Sequence, residues 1–136
     1  MSPDDLFVDT SGFYAAANTG DPYHADAAAV LSGAQGRRRL VTTNLVIAEA
    51  HALFLVRSGR HNVITFLRRA LGGNLWIERV TVTDESQTVR LLEQYDDKNF
   101  SYTDASSFVV MRRLGIEVAV ASDHNFVQFG YRQVLR

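Results

Sequence analysis

The stretch Leu6-Phe7-Val8-Asp9-Thr10-Ser11 is an apolar run that ends abruptly in a carboxylate and two hydroxyls. Strands that are covered on both faces of a sheet read as continuous apolar runs rather than alternating ones. In open α/β sheets, ligands bind beyond the carboxyl ends of the strands. We therefore predict that Leu6–Val8 is the central strand and that Asp9 lies in the crevice at its end.

Helix and strand signals alternate along the rest of the chain. We predict four more strands, which are Arg39–Thr43, Leu75–Val82, Val118–Ala121 and a final strand near Tyr131–Leu135. We predict helices over Tyr23–Leu31, Leu45–Arg57, Arg60–Leu71, Thr83 to about Tyr95, and Ser101–Leu114. Strands separated by helices need crossover connections and so form a parallel sheet. The expected fold is α/β, a three-layer α/β/α sandwich with a central, mainly parallel sheet.

Helix ends are marked by recognisable residues. Asp21-Pro22 predicts an N-cap with proline in the first helical position, and Asn44 is a plausible cap for the helix that follows the second strand. Gly33 and Gly36 are expected to stop the first of these helices. Ser58-Gly59 predicts a break between two helices that form a helical hairpin.

The length and composition predict one soluble domain over residues 1–136. The chain is 46% hydrophobic and 21% charged, and no apolar run approaches the roughly 18 residues that span a membrane. The first residues are acidic, where a secretory signal is basic. There is no cysteine, which excludes disulfides and thiolate metal sites and makes a cytoplasmic location the default expectation.

The basic residues are almost all arginine. The net charge of -1 argues against a protein that coats nucleic acid by charge alone. Lys98 is the one lysine, and the arginines form clusters at Arg37-Arg38-Arg39, at Arg57 with Arg60, at Arg68-Arg69 and at Arg112-Arg113. Arginine suits phosphate recognition. Solvated helix ends explain the same clusters equally well.

Four acids from separate segments are expected at one edge of the sheet. Asp9 and Asp123 end strands, Asp104 opens a helix, and Glu49 lies one turn into the helix after the second strand. Each has an ordinary structural explanation: Asp9 as an Asx turn, Asp104 as the acid of a capping box, Asp123 as the cap of the next turn, and Glu49 as a solvated side chain. Together they predict a carboxylate crevice.

Crowded carboxylates repel one another and raise each other's pKa values unless a cation lies among them. Oxygen ligands favour a hard cation, so we predict Mg²⁺ or Mn²⁺, which can activate water and stabilise charge at phosphorus. The four histidines lack metal-ligand spacing and are expected to be structural or surface residues. Neither a dinucleotide fingerprint, nor a P-loop, nor a serine nucleophile elbow is present.

Four motifs together resemble the PIN-domain family, and more narrowly the VapC toxins of toxin–antitoxin pairs. They are Phe7-Val8-Asp9-Thr10-Ser11, Thr42-Thr43-Asn44-Leu45-Val46-Ile47-Ala48-Glu49, Ser101-Tyr102-Thr103-Asp104-Ala105-Ser106-Ser107 and Ala121-Ser122-Asp123-His124-Asn125-Phe126. The resemblance covers essentially the whole chain in the family's order. It implies a Mg²⁺- or Mn²⁺-dependent endoribonuclease, usually a homodimer held by a small antitoxin that blocks the acidic site.

The resemblance also implies roles for single residues. Asp9, Glu49 and Asp104 match the three core acids, and Asp123 matches the fourth, more variable one. Ser11, in preference to Thr10, matches a hydroxyl that supports the site, and Asn44 is carried over as a supporting amide. Asn125 stands where some relatives have a further acid, which leaves the number of metal ions open.

Two other functions remain possible at this stage. One is phosphoryl transfer through a phospho-aspartate, but that chemistry usually needs a second acid beside the nucleophile and a lysine near the phosphate. The other is a non-catalytic PIN-like domain that binds RNA or protein. A pure binder has no use for four mutually repelling acids, so we favour the nuclease.

Overall fold

The structure is a computed structural model that describes residues 1–33 and 38–135. Five parallel strands form one sheet in the order β3-β2-β1-β4-β5. The strands are β1 (Leu6–Val8), β2 (Leu40–Thr43), β3 (Trp76–Glu78), β4 (Val118–Val120) and β5 (Arg132–Gln133). The helices are α1 (Thr10–Ala17), α2 (His24–Leu31), α3 (Asn44–Gly72), α4 (Val82–Gln94), α5 (Tyr102–Leu114) and α6 (Asn125–Phe129).

The predicted α/β/α sandwich is confirmed. Strand β1 lies at the centre of the sheet, and its three side chains are at most 1% exposed. The neighbouring strands β2 and β4 both pair with it in parallel. The central position of β1 places the residue that follows it, Asp9, beside the ends of both neighbours. The predicted helix stop Gly36 and the clustered Arg37 lie outside the described residues.

Helix α1, which the sequence did not predict, begins directly after β1. Asp9 is its N-cap, and its side chain accepts a hydrogen bond from the Ser11 backbone N–H. Glycine disfavours helix, but Gly12 lies within α1 because only a residue without a side chain fits at this position. A Cβ at this position would overlap the carbonyl oxygen of Val120 in β4. The absence of a side chain at Gly12 therefore lets the start of α1 pack directly against β4, the strand that precedes Asp123.

Replacing Gly12 with alanine is expected to lower the free energy of unfolding by about 2–3 kcal/mol, because overpacking against a fixed backbone forces a shift of α1 or β4. Thermal melting measures the loss. Gly72→Ala is the matched control, since a Cβ there would meet no atom within 4 Å and alanine favours helix. Equal melting temperatures for the two variants would contradict the close approach of α1 to β4.

The caps of two other helices differ from the prediction. Thr43, not Asn44, is the N-cap of α3, because its hydroxyl accepts the Val46 N–H at 3.1 Å and Asn44 is already helical. Asp21 accepts the N–H of Tyr23 at 2.8 Å in a turn that precedes α2, so the helix begins two residues after Pro22. In α3 the neighbouring polar residue provides the cap, and at α2 the Asp21 side chain stabilises a turn and the N-cap residue Tyr23 makes no side-chain cap hydrogen bond.

Helix α3 is interrupted where the sequence predicted. Gly59 has φ +85°, a left-handed conformation that glycine adopts without strain. The rings of Phe54 and Phe66 are 4.7 Å apart. Twelve residues of straight helix would separate them by about 18 Å, so the two halves of α3 fold back on each other as the expected hairpin. Within residues 1–33 and 38–135, no helix is long and apolar enough to cross a membrane.

Arg113 near the end of α5 ties three elements together. Its Nε and Nη2 donate to the two carboxylate oxygens of Asp84 at 2.9 and 2.8 Å, and its Nη1 donates to Glu78 at 2.9 Å. Asp84 is 2% exposed and also closes a capping box with Thr81 at the start of α4. At least this member of the Arg112-Arg113 cluster therefore has a structural role.

Candidate active site

The four predicted acids come from four elements and interact at the carboxyl edge of the sheet. Asp9 follows β1, Asp123 follows β4, Asp104 lies in the first turn of α5, and Glu49 lies in the second turn of α3. The charges of Asp123 and Asp104 act on Asp9, and the charges of Asp104 and Glu49 act on Asp123. All four carboxylates are thus linked electrostatically.

Asp9 is held from one side only. It is 2% exposed, and its Oδ2 accepts hydrogen bonds from the Oγ of Ser11 at 2.8 Å and from the Ser11 N–H at 3.2 Å. Its Oδ1 is buried and has no hydrogen-bond partner among the described residues. Ser11 Oγ in turn accepts the N–H of Ser122 at 3.0 Å, which joins the end of β1 to the end of β4.

The electrostatic state of Asp9 follows from this setting. Burial is the main cause that raises its pKa to about 7, and the negative charge of Asp123 acts in the same direction, whereas the hydrogen bonds from Ser11 lower the pKa. The charge of Asp104 adds a smaller increase in the pKa. Ionisation of Asp9 in the metal-free protein therefore lowers the stability of the fold, and a cation near Oδ1 would offset this loss.

Asp104 has both of the roles that are alternatives from the sequence alone, the acid of a capping box and a member of the acidic site. Its Oδ2 accepts the Ser101 N–H at 3.2 Å, and the Ser101 hydroxyl accepts the Asp104 N–H at 3.0 Å, so the capping box is present. The same Oδ2 accepts the side-chain amide of Asn125 at 2.7 Å. Asp104 is 8% exposed. One carboxylate both starts α5 and faces the other acids.

Asp123 is joined to this group through Asn125. Its Oδ1 accepts the backbone N–H of Asn125 at 3.1 Å, which is the cap of the following turn that the sequence suggested. Burial and the charge of Asp104 raise the pKa of Asp123, with a smaller contribution from Glu49, while the hydrogen bond from the Asn125 N–H opposes the rise in pKa. Asn125 thus contacts two of the acids, a role that the sequence analysis missed.

The remaining residues are less closely tied to this group of acids. Glu49 is half-buried on α3 and acts on Asp123 through its charge. The Oδ1 of Asn44 accepts the N–H of Val80 at 3.0 Å, so the contact of this amide fixes the segment after β3. Its predicted supporting role at the site stays a prediction. The Nδ1 of His24 lies 3.0 Å from the carbonyl oxygen of Ala15, in keeping with a structural histidine.

The donor set fits a hard divalent cation that keeps part of its water shell. Within the described residues, no three or more acidic or imidazole side chains already converge as a complete set of metal ligands. Mg²⁺ is commonly held by one or two carboxylates plus waters, so a complete protein cage is not required. The buried and unpartnered Oδ1 of Asp9, next to the carboxylate of Asp123, meets that smaller requirement.

Comparisons with known proteins agree with this geometry. The family model described as the PIN domain matches residues 6–130. The chain belongs to the PIN-domain family. The resemblance predicted from the four motifs is thereby confirmed. This PIN domain is 33% identical over 129 residues to the 23S rRNA-specific endonuclease VapC20 of Mycobacterium tuberculosis, with 95% of this chain and 97% of that protein covered.

Solved structures give the same result. This PIN domain matches the crystal structure of Mycobacterium tuberculosis VapC20, a sarcin-ricin loop cleaving toxin, with a TM-score of 0.86 and 32% identity over 97% of this chain and 100% of that chain. PAE2754 from Pyrobaculum aerophilum has a TM-score of 0.64 at 22% identity, covering 96% and 89% of the two chains. FitAcB from Neisseria gonorrhoeae has a TM-score of 0.62 at 9% identity, covering 94% and 95%. The last two share the fold.

Asp9→Asn is expected to stabilise the metal-free PIN domain relative to wild type, and increasingly so between pH 5 and pH 8. The pKa of Asp9 is about 7 in the folded protein, against 3.8 for an unperturbed aspartate. Between these two pH values Asp9 is protonated in the folded state and ionised in the unfolded state. The free energy of unfolding of wild type therefore falls as the pH rises, until Asp9 ionises in the folded state as well. Asparagine has no such titration and remains a good N-cap.

Urea unfolding of both proteins in EDTA at several pH values measures this effect. The difference in unfolding free energy should grow with pH in favour of Asp9→Asn. A difference that does not change with pH would contradict the raised pKa of Asp9.

Proposed function

We propose that this PIN domain is a metal-dependent endoribonuclease and the toxin of a toxin–antitoxin pair. The observation that carries the proposal is the meeting of four acids at one sheet edge, with the buried Oδ1 of Asp9 left without a donor. The similarity to an endonuclease over almost the whole chain supports it. Residues 1–136 form, in this proposal, a single nuclease domain.

Asp9, Asp104 and Asp123 would hold Mg²⁺ or Mn²⁺, with Glu49 less closely tied to the ion. When bound, such an ion supplies Lewis acidity and lowers the pKa of water for attack on phosphorus. The protein keeps the carboxylates in place through hydrogen bonds from Ser11 and Asn125. Half-buried Glu49 is accessible enough to orient a water molecule or accept its proton.

RNA is the proposed substrate, and ribosomal RNA is the first one to test. VapC20 is a 23S rRNA-specific endonuclease and a sarcin-ricin loop cleaving toxin. A ribosomal target is consistent with the cytoplasmic location that we propose. Exposed arginines such as Arg60, Arg68 and Arg112 are available for phosphate contacts, whereas Arg113 is engaged with Asp84.

Phosphoryl transfer through a phospho-aspartate fits the structure less well. The lysine that this chemistry uses near the phosphate has no counterpart here, because Lys98 pairs with its neighbour Asp97 at 3.1 Å on the surface. The Oδ2 of Asp9 is also engaged twice by Ser11. Metal-dependent hydrolysis requires neither a lysine near the phosphate nor a free Oδ2 on Asp9.

An antitoxin and a homodimer complete the proposal. Apolar side chains are exposed near the end of the first half of α3, where Leu55 is 45% and Val56 is 85% exposed. Surplus apolar surface of this kind marks an interface. We propose that a second copy covers it and that a cognate antitoxin blocks the acidic edge.

Incubation of the purified protein with whole ribosomal RNA and with a sarcin-ricin hairpin tests the proposed function. Cleavage is expected with Mg²⁺ or Mn²⁺ and should disappear in EDTA. Sequencing of the fragment ends identifies the cleaved bond. Cleavage that persists unchanged in EDTA would remove the metal from the proposal, and no cleavage of any RNA under either condition would favour the non-catalytic alternative.

A further inference from the structure

Asn125 is in a position to control how many ions the acidic crevice takes. We propose that its hydrogen bonds restrict the crevice to a single divalent cation, which makes Asn125 a positioning residue. The proposal rests on the proposed function, since it assumes that the acids bind a metal. It goes beyond that function by assigning a metal count to this chain and by naming the residue that sets it.

Each of three acids has one oxygen already engaged by a protein donor. Asp104 uses Oδ2 for Asn125 Nδ2 at 2.7 Å and for Ser101 N–H at 3.2 Å. Asp123 uses Oδ1 for Asn125 N–H at 3.1 Å, and Asp9 uses Oδ2 for both donors of Ser11. The Oδ2 atoms of Asp104 and Asp9 each accept two hydrogen bonds, which use both lone pairs of a carboxylate oxygen, and Asp123 Oδ1 accepts one. The second oxygen of each acid remains for a metal.

One free oxygen on each acid suits one octahedral ion. A Mg²⁺ or Mn²⁺ ion takes six ligands, so a few single carboxylate oxygens and several waters complete its shell. A second adjacent ion would need further carboxylate oxygens from the same acids. Here the second oxygen of Asp104 is tied to Asn125, and that of Asp9 is tied to Ser11.

The amide of Asn125 differs from a carboxylate in two respects that act together. Nδ2 donates a hydrogen, which holds Asp104 Oδ2, and the group adds no negative charge. An aspartate at position 125 would place a fifth carboxylate beside Asp104 and could donate nothing. It would remove one of the two hydrogen bonds to Asp104 Oδ2, while that of the Ser101 N–H remains, and it would add charge at the same point. Both changes favour a second cation.

The test is a count of bound Mn²⁺. Isothermal titration with Mn²⁺, together with electron paramagnetic resonance of the free ion, gives the number of sites per protomer for wild type and Asn125→Asp. Asn62→Asp is the matched control, since Asn62 is exposed on α3 and its side chain donates to the Ser58 carbonyl oxygen. Purification in excess Mn²⁺, removal of free ion and elemental analysis give the same count for a variant that is unstable without metal.

We expect one Mn²⁺ per protomer in wild type and in Asn62→Asp, and two in Asn125→Asp. The melting temperature of Asn125→Asp should be lower than that of wild type in EDTA and should rise more with Mn²⁺, because repulsion is relieved by ions that bind only the folded state. Two ions in wild type, or one ion in Asn125→Asp, would overturn the proposal. Wild-type protein that binds no Mn²⁺ yet cleaves RNA in EDTA would instead overturn the proposed function.

Discussion

Replacing Asp9 with asparagine is expected to abolish RNA cleavage, with a rate at least about 100-fold below wild type. Residues that only orient a metal ligand already cost about 10–100-fold when they are removed, so the loss of a ligand should cost more. An amide is a poor ligand for a hard cation and carries no charge. The fold should persist, because asparagine caps α1 as well as aspartate does. Asp104→Asn and Glu49→Gln should be similarly inactive, and Asp123→Asn, at the more variable of the four acids, should lose less activity.

The measurement is the single-turnover cleavage rate, at saturating Mg²⁺, of the RNA that the incubation with ribosomal RNA and the sarcin-ricin hairpin identifies as a substrate. Asp26→Asn is the matched control, since Asp26 is an exposed acid in the first turn of α2 and should leave the rate unchanged. Asp104→Asn also needs melting curves, because Asp104 caps α5 as well as facing the site. A smaller Mg²⁺-induced rise in its melting temperature identifies the metal role. Full activity in Asp9→Asn would remove Asp9 from the mechanism.

Replacing Arg113 with alanine is expected to lower the free energy of unfolding by about 2–3 kcal/mol. It leaves the carboxylate of Asp84 buried without its cation, and breaking a buried pair from one side typically costs about 3–5 kcal/mol. We expect less here, because Arg113 is 35% exposed and water screens part of the interaction. Burial alone would raise the pKa of Asp84, but hydrogen bonds from Arg113 and Thr81 outweigh it and lower the pKa.

Urea unfolding measures this loss, and Arg112→Ala is the control. Arg112 is the exposed neighbour, and its replacement should change the unfolding free energy by less than about 0.5 kcal/mol. Because the pKa of Asp84 is lowered on folding, its contribution is present at neutral pH and is lost in acid. The gap between wild type and Arg113→Ala should therefore narrow as the pH falls below about 4. Equal stability of the two arginine variants at pH 7 would exclude the structural role of Arg113.

The parts of the fold that depend on local patterns could be predicted from the sequence. The apolar run Leu6–Val8, the capping box from Ser101 to Asp104 and the stop at Gly115 are such patterns, and the structure has each of them. The alternation of strands and helices predicted the parallel sheet and so the common edge of the four acids. Helix α1 was missed because Gly12 disfavours helix locally and is explained only by its approach to Val120.

The side-chain partners at the site could not be predicted in the same way. Asn125 and Asp104 are 21 residues apart, and Arg113 and Asp84 are 29 residues apart. No local pattern relates such pairs, since their distances depend on how whole helices pack. The two roles of Asp104 are alternatives from the sequence alone, because each is inferred from a separate pattern. The structure shows that one oxygen accepts hydrogen bonds from both Ser101 and Asn125.

The hydrogen bond from Ser122 to Ser11 joins residues that are 111 positions apart, and it has a consequence for synthesis of the protein. Asp9 is translated together with Ser11, whereas Asp123 and Asn125 are translated only after Ser122. A growing chain therefore contains Asp9, Glu49 and Asp104 before it contains Asp123 or Asn125. The complete acidic site cannot form until synthesis has passed residue 125, because Asn125 contacts both Asp104 and Asp123. In the proposed function, the translating ribosome meets only an incomplete site until that residue has been added.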